Sequence, residues 1–431
     1  MTEPSEHLFR REAGRMVAVL TRIFGVHNLA LAEDVVQDAF CRALEVWKFR
    51  GVPENPTAWL MTTAKHRALD VLRRERTARS FAPELGRLLE TEWTLAPIIE
   101  ELFEPHAIQD DQLRMMFSCC HPRLPEAAQV ALVLHLLCGF TVSEVASAFV
   151  STHAAIEKRL SRAKKVLAES QTLFEVADTA DFIARLSGVQ RALYLLFNEG
   201  YHSASADAGI RVELCEEAMH LVTLLLDHPF AAGPSTRALA ALFYLHAARL
   251  PARLDAAGEF RPLLEQDRSR WDVELMSEGL RLLDLSAEGA EVSAYHVEAG
   301  IASIHALARS HEETDWGAIV ALYDTLMGIG PTPVVALNRA IAIGQQEGPD
   351  RGLAEIAKIS DRERLAAYPF YAAALGDLET RRGRPDRARE HFEKALALAR
   401  TPKERRYFAQ RLGTCDGAGA GDPEGRPPVG E

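Results

Sequence analysis

The chain has 431 residues, too many for one ordinary domain, and 48% of them are apolar, enough to bury two or three cores. Aromatics are only 7%, and long Ala/Leu/Arg/Glu-rich stretches with almost no alternating segment exclude a sheet protein and predict an all-α fold. The net charge of −12 is unevenly placed: residues 1–167 hold 21 Lys+Arg and 21 Asp+Glu, residues 168–431 hold 28 and 40, so the back part is excluded as a nucleic-acid surface and the front is not.

No run reaches the apolar length of a membrane span, and the opening MTEPSEHLFRREAGR lacks a signal-peptide core. A cytoplasmic protein that engages no membrane is expected. The six cysteines, Cys41, Cys119, Cys120, Cys138, Cys215 and Cys415, are scattered and not in CxxC pairs. They predict buried thiols, with no metal and no disulfide framework. Cys119-Cys120-His121 is included in that reading, because sequence neighbours rarely coordinate one metal together.

Residues 5–29 read as a helix, with Phe9, Ala13, Met16, Val17, Leu20 and Phe24 at helical spacing and Gly25 as its stop. In the next helix, AEDVVQDAFCRALEVW, Val36, Phe40, Ala43, Leu44 and Trp47 share one face; Asp34, Asp38, Cys41 and Glu45 share the other. Lys48 to Asn55, with Gly51 and Pro53, reads as a loop. In PTAWLMTTAKHRALDVLRR, Leu60, Met61, Ala64, Ala68, Val71 and Leu72 form the apolar arc. Trp59, Thr63, His66, Arg67, Asp70, Arg73 and Arg74 lie opposite. An acidic face suits a basic protein surface. A basic face carrying an indole suits nucleic acid, because cations neutralise phosphates and unpaired bases stack on flat rings. Two merely solvated faces would look similar, but an indole on a polar face needs a further reason to be there.

Residues 76–123 read as a net acidic connector, with Glu90, Glu92, Glu100, Glu101, Glu104, Asp110 and Asp111. Residues 124–167 read as a helix-turn-helix. PEAAQVALVLHLLCGF is an apolar helix closed by Gly139, Thr141 and Glu144 form a capping box, and Val150-Ser151-Thr152 is the turn. The second helix, from His153, turns Ile156, Leu160, Ala163 and Leu167 to the core and Ala154, Ala155, Lys158, Ser161, Arg162 and Lys165 away. Small residues at its N-terminal end admit base edges, and the cations behind them reach phosphates.

The AEDVVQDAF and PTAWL…RALDVLRR runs resemble region two of bacterial extracytoplasmic-function sigma factors in residue types, order and spacing, over residues 1–75. His66-Arg67 departs from the Asn-Arg of many members. The helix pair resembles region four of the same family, with Glu157 where many members have Lys. DDQLRMMFSCCHPRLP and LFNEGYHSA resemble the subgroup with a long, tetratricopeptide-like C-terminal extension. The resemblance implies an alternative sigma factor with two partners, core RNA polymerase and promoter DNA. It implies polymerase contacts at Asp34, Gln37 and Asp38, and minus-ten contacts at Asn55, Trp59, His66, Arg67, Arg73 and Arg74, with a flipped base held near Lys48, Glu54 and Asn55. Ala154, Ala155, Lys158, Arg162 and Lys165 would contact the minus-thirty-five element.

Residues 171–412 read as a separate helical body. DFIARLSGVQRALYLLFNEGYHSAS has helical spacing and then a loop at Gly200, Tyr201 and His202. Glu199 and His202 could serve as acid and base, but no nucleophile or third group is near in sequence, so no catalysis and no cofactor is expected. Helices follow at 213–229, 236–253, 294–309 and 316–329, with LLEQDRSRWD beginning another. YAAALGDLETRRGRPDRAREHFEKALALA has tetratricopeptide spacing, and 316–357 is a looser version. A regulatory protein or ligand would sit at these repeats. Residues 413–431, rich in Gly and Pro, read as a disordered tail. The resulting division is 1–75 region two, 76–123 linker, 124–170 region four, 171–412 extension and 413–431 tail. Two rival readings are a helix-turn-helix regulator that needs no polymerase and a helical-repeat scaffold or ligand sensor.

Overall fold

The computed structural model describes residues 3–74, 105–149, 151–169, 179–202, 210–255, 261–289, 292–399 and 402–419, and their regular secondary structure is helical. The chain divides into two compact units, Met1–Ser203 with Ile210–Thr236, and Ala204–Gly209 with Arg237–Glu431. The helices at the start of the expected extension therefore belong to the first unit, and 171–412 is not one separate body.

In the first unit, α1 (Glu3–Phe24) buries Met16, Val17, Leu20, Ile23 and Phe24 and stops at Gly25, whose φ of 84° suits glycine. Helix α2 (Leu29–Arg50) buries Val35 and Ala39 as well as Val36, Ala43 and Trp47, whereas Leu44 is 41% exposed and does not join the core face. Phe9 stacks on Phe40 at 4.8 Å and meets Trp47 at 5.5 Å. Lys48, Phe49 and Arg50 are helical, not loop: the stop is Gly51, with φ 77° and its N–H on the Trp47 carbonyl at 3.0 Å. Helix α3 (Pro56–Arg74) opens with proline, and the Asn55 side-chain carbonyl caps it by accepting from the Ala58 N–H at 3.0 Å.

Residues 76–104, with the acidic connector side chains Glu90 to Glu104, lie outside the described residues. The rest of the expected connector is a core helix, α4 (Pro105–Cys119), which buries Met115, Met116 and Phe117. Its fully buried Asp111 pairs with Arg22 of α1 at 3.0 Å. Helix α5 (Glu126–Leu132) widens into a π turn at Val133–Leu137 before Gly139, φ 64°. The Thr141–Glu144 capping box opens α6 (Val142–Ala148), with N–H···O distances of 2.8 and 3.2 Å. Helix α7 (His153–Glu169) buries the four residues expected of it, Ile156, Leu160, Ala163 and Leu167.

Helix α8 (Thr179–His202) runs on through Gly200, Tyr201 and His202, where a loop was expected. Gly200 lies against α9 (Val212–Leu226): a Cβ there would come within 2.8 Å of the Arg211 carbonyl oxygen and 2.9 Å of the Cys215 nitrogen. The glycine serves close helix packing, and the buried Tyr201 stacks on Phe197 at 5.8 Å.

The second unit takes up the chain within α10 (Pro234–Ala247), followed by the short α11 (Leu250–Arg253). LLEQDRSRW forms two 3₁₀ turns and not a helix start. Helix α12 (Val273–Ser286) begins after Asp272, whose carboxylate accepts from the Leu275 N–H at 2.9 Å. Then come α13 (Ala294–Leu307), α14 (Trp316–Ile329), α15 (Pro333–Glu347), α16 (Pro349–Ala357), α17 (Pro369–Arg381), α18 (Pro385–Leu398) and α19 (Pro402–Gly419). From α14 onward each helix packs mainly on its chain neighbours, as a stacked repeat does. Gly376 of α17 faces Phe392 of α18, where a Cβ would lie 2.9 Å from the ring, and Gly383, φ 71°, makes the turn between them. Phe392, Phe408 and Cys415 share one core cluster, so α19 holds Thr414 to Gly419 in a helix where a tail was expected. Residues 420–431 lie outside the described part.

Candidate nucleic-acid interface

The acidic row of α2 begins with Asp34 and Gln37, both exposed and with no side-chain hydrogen bond or ion pair among the described residues. Asp38 is also exposed, but its Oδ2 accepts from Arg67 of α3, at 2.7 Å from Nη2 and 2.9 Å from Nε. A residue expected at polymerase and one expected at DNA are thus tied to each other. Glu33 is half-buried; its carboxylate holds Lys164 Nζ at 2.6 and 2.8 Å and lies 3.4 Å from His135 Nε2. Burial raises the Glu33 carboxyl, but the His135 hydrogen bond and the Lys164 charge outweigh this and leave it below its ordinary value.

Beside this row is an open hollow of about 540 Å³ lined by Arg42, Pro53, Asn55, Ala58, Trp59, Thr62, Thr63 and His66. Three residues picked from the sequence, Asn55, Trp59 and His66, meet there. Trp59 is half-buried because its ring meets Trp47 edge-on, with centroids 5.5 Å apart and planes at 63°. Its indole is therefore braced from behind, which explains an aromatic on a polar face. The Thr63 hydroxyl donates to the Trp59 carbonyl at 2.8 Å. Asn55 spends its side-chain oxygen on the helix cap.

Arg42 and Thr62 were missed: Arg42 comes from the other helix, and no single-helix periodicity places it in the hollow. Phe49 and Val52, 84% and 58% exposed at the end of α2 and in the turn after it, were missed as surface apolar groups. Arg73 and Arg74 are on the last turn of α3, and their side chains lie outside the described part.

The second face is on α7. Ala154, Ala155, Lys158, Arg162 and Lys165 are all exposed, and none of the three cations is in an ion pair among the described residues. Arg159, between them, lies over Phe149 at 5.2 Å. The exposed side of this helix offers free cations to phosphates and small side chains to base edges.

Glu199 is half-buried in α8 beside Tyr201, and the His202 side chain lies outside the described part. Cys119, Cys120 and Cys138 are buried free thiols. Burial pushes Cys119 to about 12 and raises the other two, so none is a ready thiolate. Among the described residues no group of three or more His, Cys, Asp or Glu is placed to hold a metal ion, and no helix is long and apolar enough to cross a membrane.

An acidic helix row, a hollow with a braced indole and a helix-turn-helix with an open second helix, in this chain order, define a promoter-recognition subunit of the sigma type. The comparisons with known proteins agree. Residues 8–78 match sigma-70 region 2, residues 114–167 match sigma-70 region 4, and residues 185–287 match a family of unknown function, DUF6596. An uncharacterized protein of Rhizobium meliloti is 38% identical over 398 residues, 92% of either chain. The probable ECF RNA polymerase sigma factor SigI of Mycobacterium tuberculosis is 23% identical over 171 residues, 39% of this chain and 56% of that one. The RNA polymerase sigma factor CarQ of Myxococcus xanthus is 42% identical over 80 residues, 18% of this chain and 43% of its own length. The chain belongs to the extracytoplasmic-function sigma factors and carries a C-terminal helical extension. It is an alternative sigma factor that binds core RNA polymerase and promoter DNA and directs transcription initiation; sigma factors as a class are not enzymes.

Proposed function

We propose that Asp34, Gln37 and Asp38 on α2 make the contact with core RNA polymerase, and that the hollow beside them receives the opened minus-ten element. A base taken out of its stack costs a few kcal/mol, which stacking on the braced Trp59 and hydrogen bonds from the hollow offset. Asn55 and His66 line that hollow. Arg67 flanks it, and Arg73 and Arg74 continue the basic side of α3 along the strand. Ala154, Ala155, Lys158, Arg162 and Lys165 on α7 read and hold the minus-thirty-five duplex. The observation that carries this reading is the meeting of Asn55, Trp59 and His66 around one concavity, next to the Asp38–Arg67 pair.

In this reading residues 1–75 form the polymerase and minus-ten module, 124–170 the minus-thirty-five module, and the chain from 171 modulates their activity. The acidic balance of the back part supports that role, because it disfavours DNA beside a DNA-binding front. A regulatory protein or a ligand acts at the repeats, the chain works in the cytoplasm, and it contributes no catalysis of its own. The test is the double variant Asp34→Ala/Asp38→Ala. It should lose core polymerase in a pull-down and lose promoter-directed transcription, while its binding to minus-thirty-five duplex is retained. A transcription defect without a polymerase-binding defect would instead favour a regulator that uses the helix-turn-helix alone.

A further inference from the structure

Within the first unit the two sigma modules are in contact, and the extension helps to hold them. Helix α1 meets the π turn of region four backbone to backbone: a Cβ on Gly14 would fall 1.9 Å from the Leu137 carbonyl oxygen. Beside this contact, Glu144 Oε1 of region four accepts from Arg10 Nη2 of region two at 2.7 Å and from Arg211 Nη2 at 3.2 Å. Both guanidiniums lie over the Phe140 ring, at 5.6 and 5.2 Å from its centroid. Arg211 belongs to the stretch matched by the family of unknown function, so three segments of the chain meet on one carboxylate. Helix α8 adds to the hold. Phe182 stacks on Phe117 at 4.1 Å, Arg191 pairs with Glu126 at 3.2 Å, and Gly188 sits against Gln129 and Cys120. A second latch joins α7 to α2, Lys164 on Glu33.

This arrangement is closed with respect to promoter DNA. The two promoter elements are about 25 base pairs apart, which is about 85 Å of duplex at about 3.4 Å per step. A compact unit of about 230 residues has a radius of gyration of about 17 Å, too small to meet both at once. We propose that in the free protein the first helices of the extension, through Arg211 on Glu144, fasten the helix-turn-helix onto region two, and that polymerase opens this clasp by competing with Lys164 for the acidic row at Glu33. Glu33 is next to Asp34 and one helical turn from Gln37, so a basic polymerase surface docking there faces Lys164 as a rival. Lys164 is on the same helix as Lys158, Arg162 and Lys165, so its displacement lets the minus-thirty-five reader, whose face is already exposed, move away from region two. This release step rests on the polymerase contact proposed above.

The test is energy transfer in the full-length chain between dyes at Asp70→Cys and Glu169→Cys, with the exposed Cys41 replaced by Ser. Free protein should show high transfer, and saturating core polymerase should lower it. Arg211→Gln should raise the open fraction of the free protein about fivefold, as expected for one partly buried ion pair, and raise core-free affinity for DNA carrying both elements by a similar factor. It should leave affinity for a minus-thirty-five duplex alone unchanged, since that face of α7 is already exposed. Lys164→Gln should act in the same direction and guards against a folding defect peculiar to Arg211→Gln, with helical circular dichroism as the control. Low transfer in the free protein, or no change in either variant, would overturn the clasp. A chain that binds polymerase with unaltered high transfer overturns the release step and leaves the polymerase contact standing; a closed chain that never binds polymerase overturns the release step together with the polymerase contact.

Discussion

The two faces expected to meet the promoter are built in opposite ways. On α7 the five expected contact residues are exposed, and the three cations among them stand without carboxylate partners within the described residues. In region two, three of the residues expected at the promoter are already engaged: Arg67 with Asp38, Asn55 with the start of α3, and Trp59 with Trp47. A helix that buries one stripe can be read alone, because its opposite side is free by default. A site assembled from two helices and a turn is shared between elements, and its residues carry structural and binding roles together.

That contrast is open to attack, beginning with the largest effect. Lys158→Ala/Arg162→Ala/Lys165→Ala should cut affinity for a minus-thirty-five duplex about 100-fold at low salt and lower the salt slope by about 3, with the melting temperature unchanged. A fall in thermal stability would mean that the α7 face is less free than it looks. Trp59→Ala should weaken binding of single-stranded minus-ten DNA about tenfold, and should also cost about 1 kcal/mol of stability as the Trp47 contact is lost. The paired loss, measured by fluorescence anisotropy and urea unfolding, is the signature of a shared site.

A smaller effect is expected from Asp38→Asn. It frees Arg67 from an exposed pair, so stability should change by less than about 1 kcal/mol. Polymerase affinity should fall while minus-ten DNA affinity holds or rises; a fall in both would mean that the pair acts as one unit. The smallest concerns pH. The folded Glu33 carboxyl is held below the ordinary 4.5, so its contribution is complete above that value and is lost as pH falls through the depressed one. Urea unfolding should therefore show Glu33→Gln less stable than wild type at neutral pH, with the gap closing below about pH 4.5.

Much of the helical order was legible. The stretch Trp316 to Ile329 was read with its observed ends, and the Asp315 carboxylate caps it by accepting from the Ala318 N–H at 2.9 Å. The inward residues of α7 were read from spacing alone. The failures share a physical cause. Gly200 looked like a break because glycine permits one, but here it lets α8 and α9 approach. The 3₁₀ turns at 263–270 hide behind helix-forming residues. They are held from outside, where Arg268 Nη1 donates to the His305 and Ala308 carbonyls at 2.7 Å. The Gly-rich end past Thr414 is helical as far as Gly419 because Cys415 reaches the Phe392 and Phe408 core. At the site, Arg42 and Lys164 went unread because each is set against residues of another helix, Arg42 across the hollow and Lys164 on Glu33, and periodicity within one helix carries no such information.

The most direct measurement is in-vitro transcription from a mapped promoter with purified core polymerase, with and without the full-length chain. A discrete start appearing only when the chain is present, and lost in Asp34→Ala/Asp38→Ala, is the predicted result. A chain that binds promoter DNA yet neither joins core polymerase nor yields a start would contradict the assignment of these two faces.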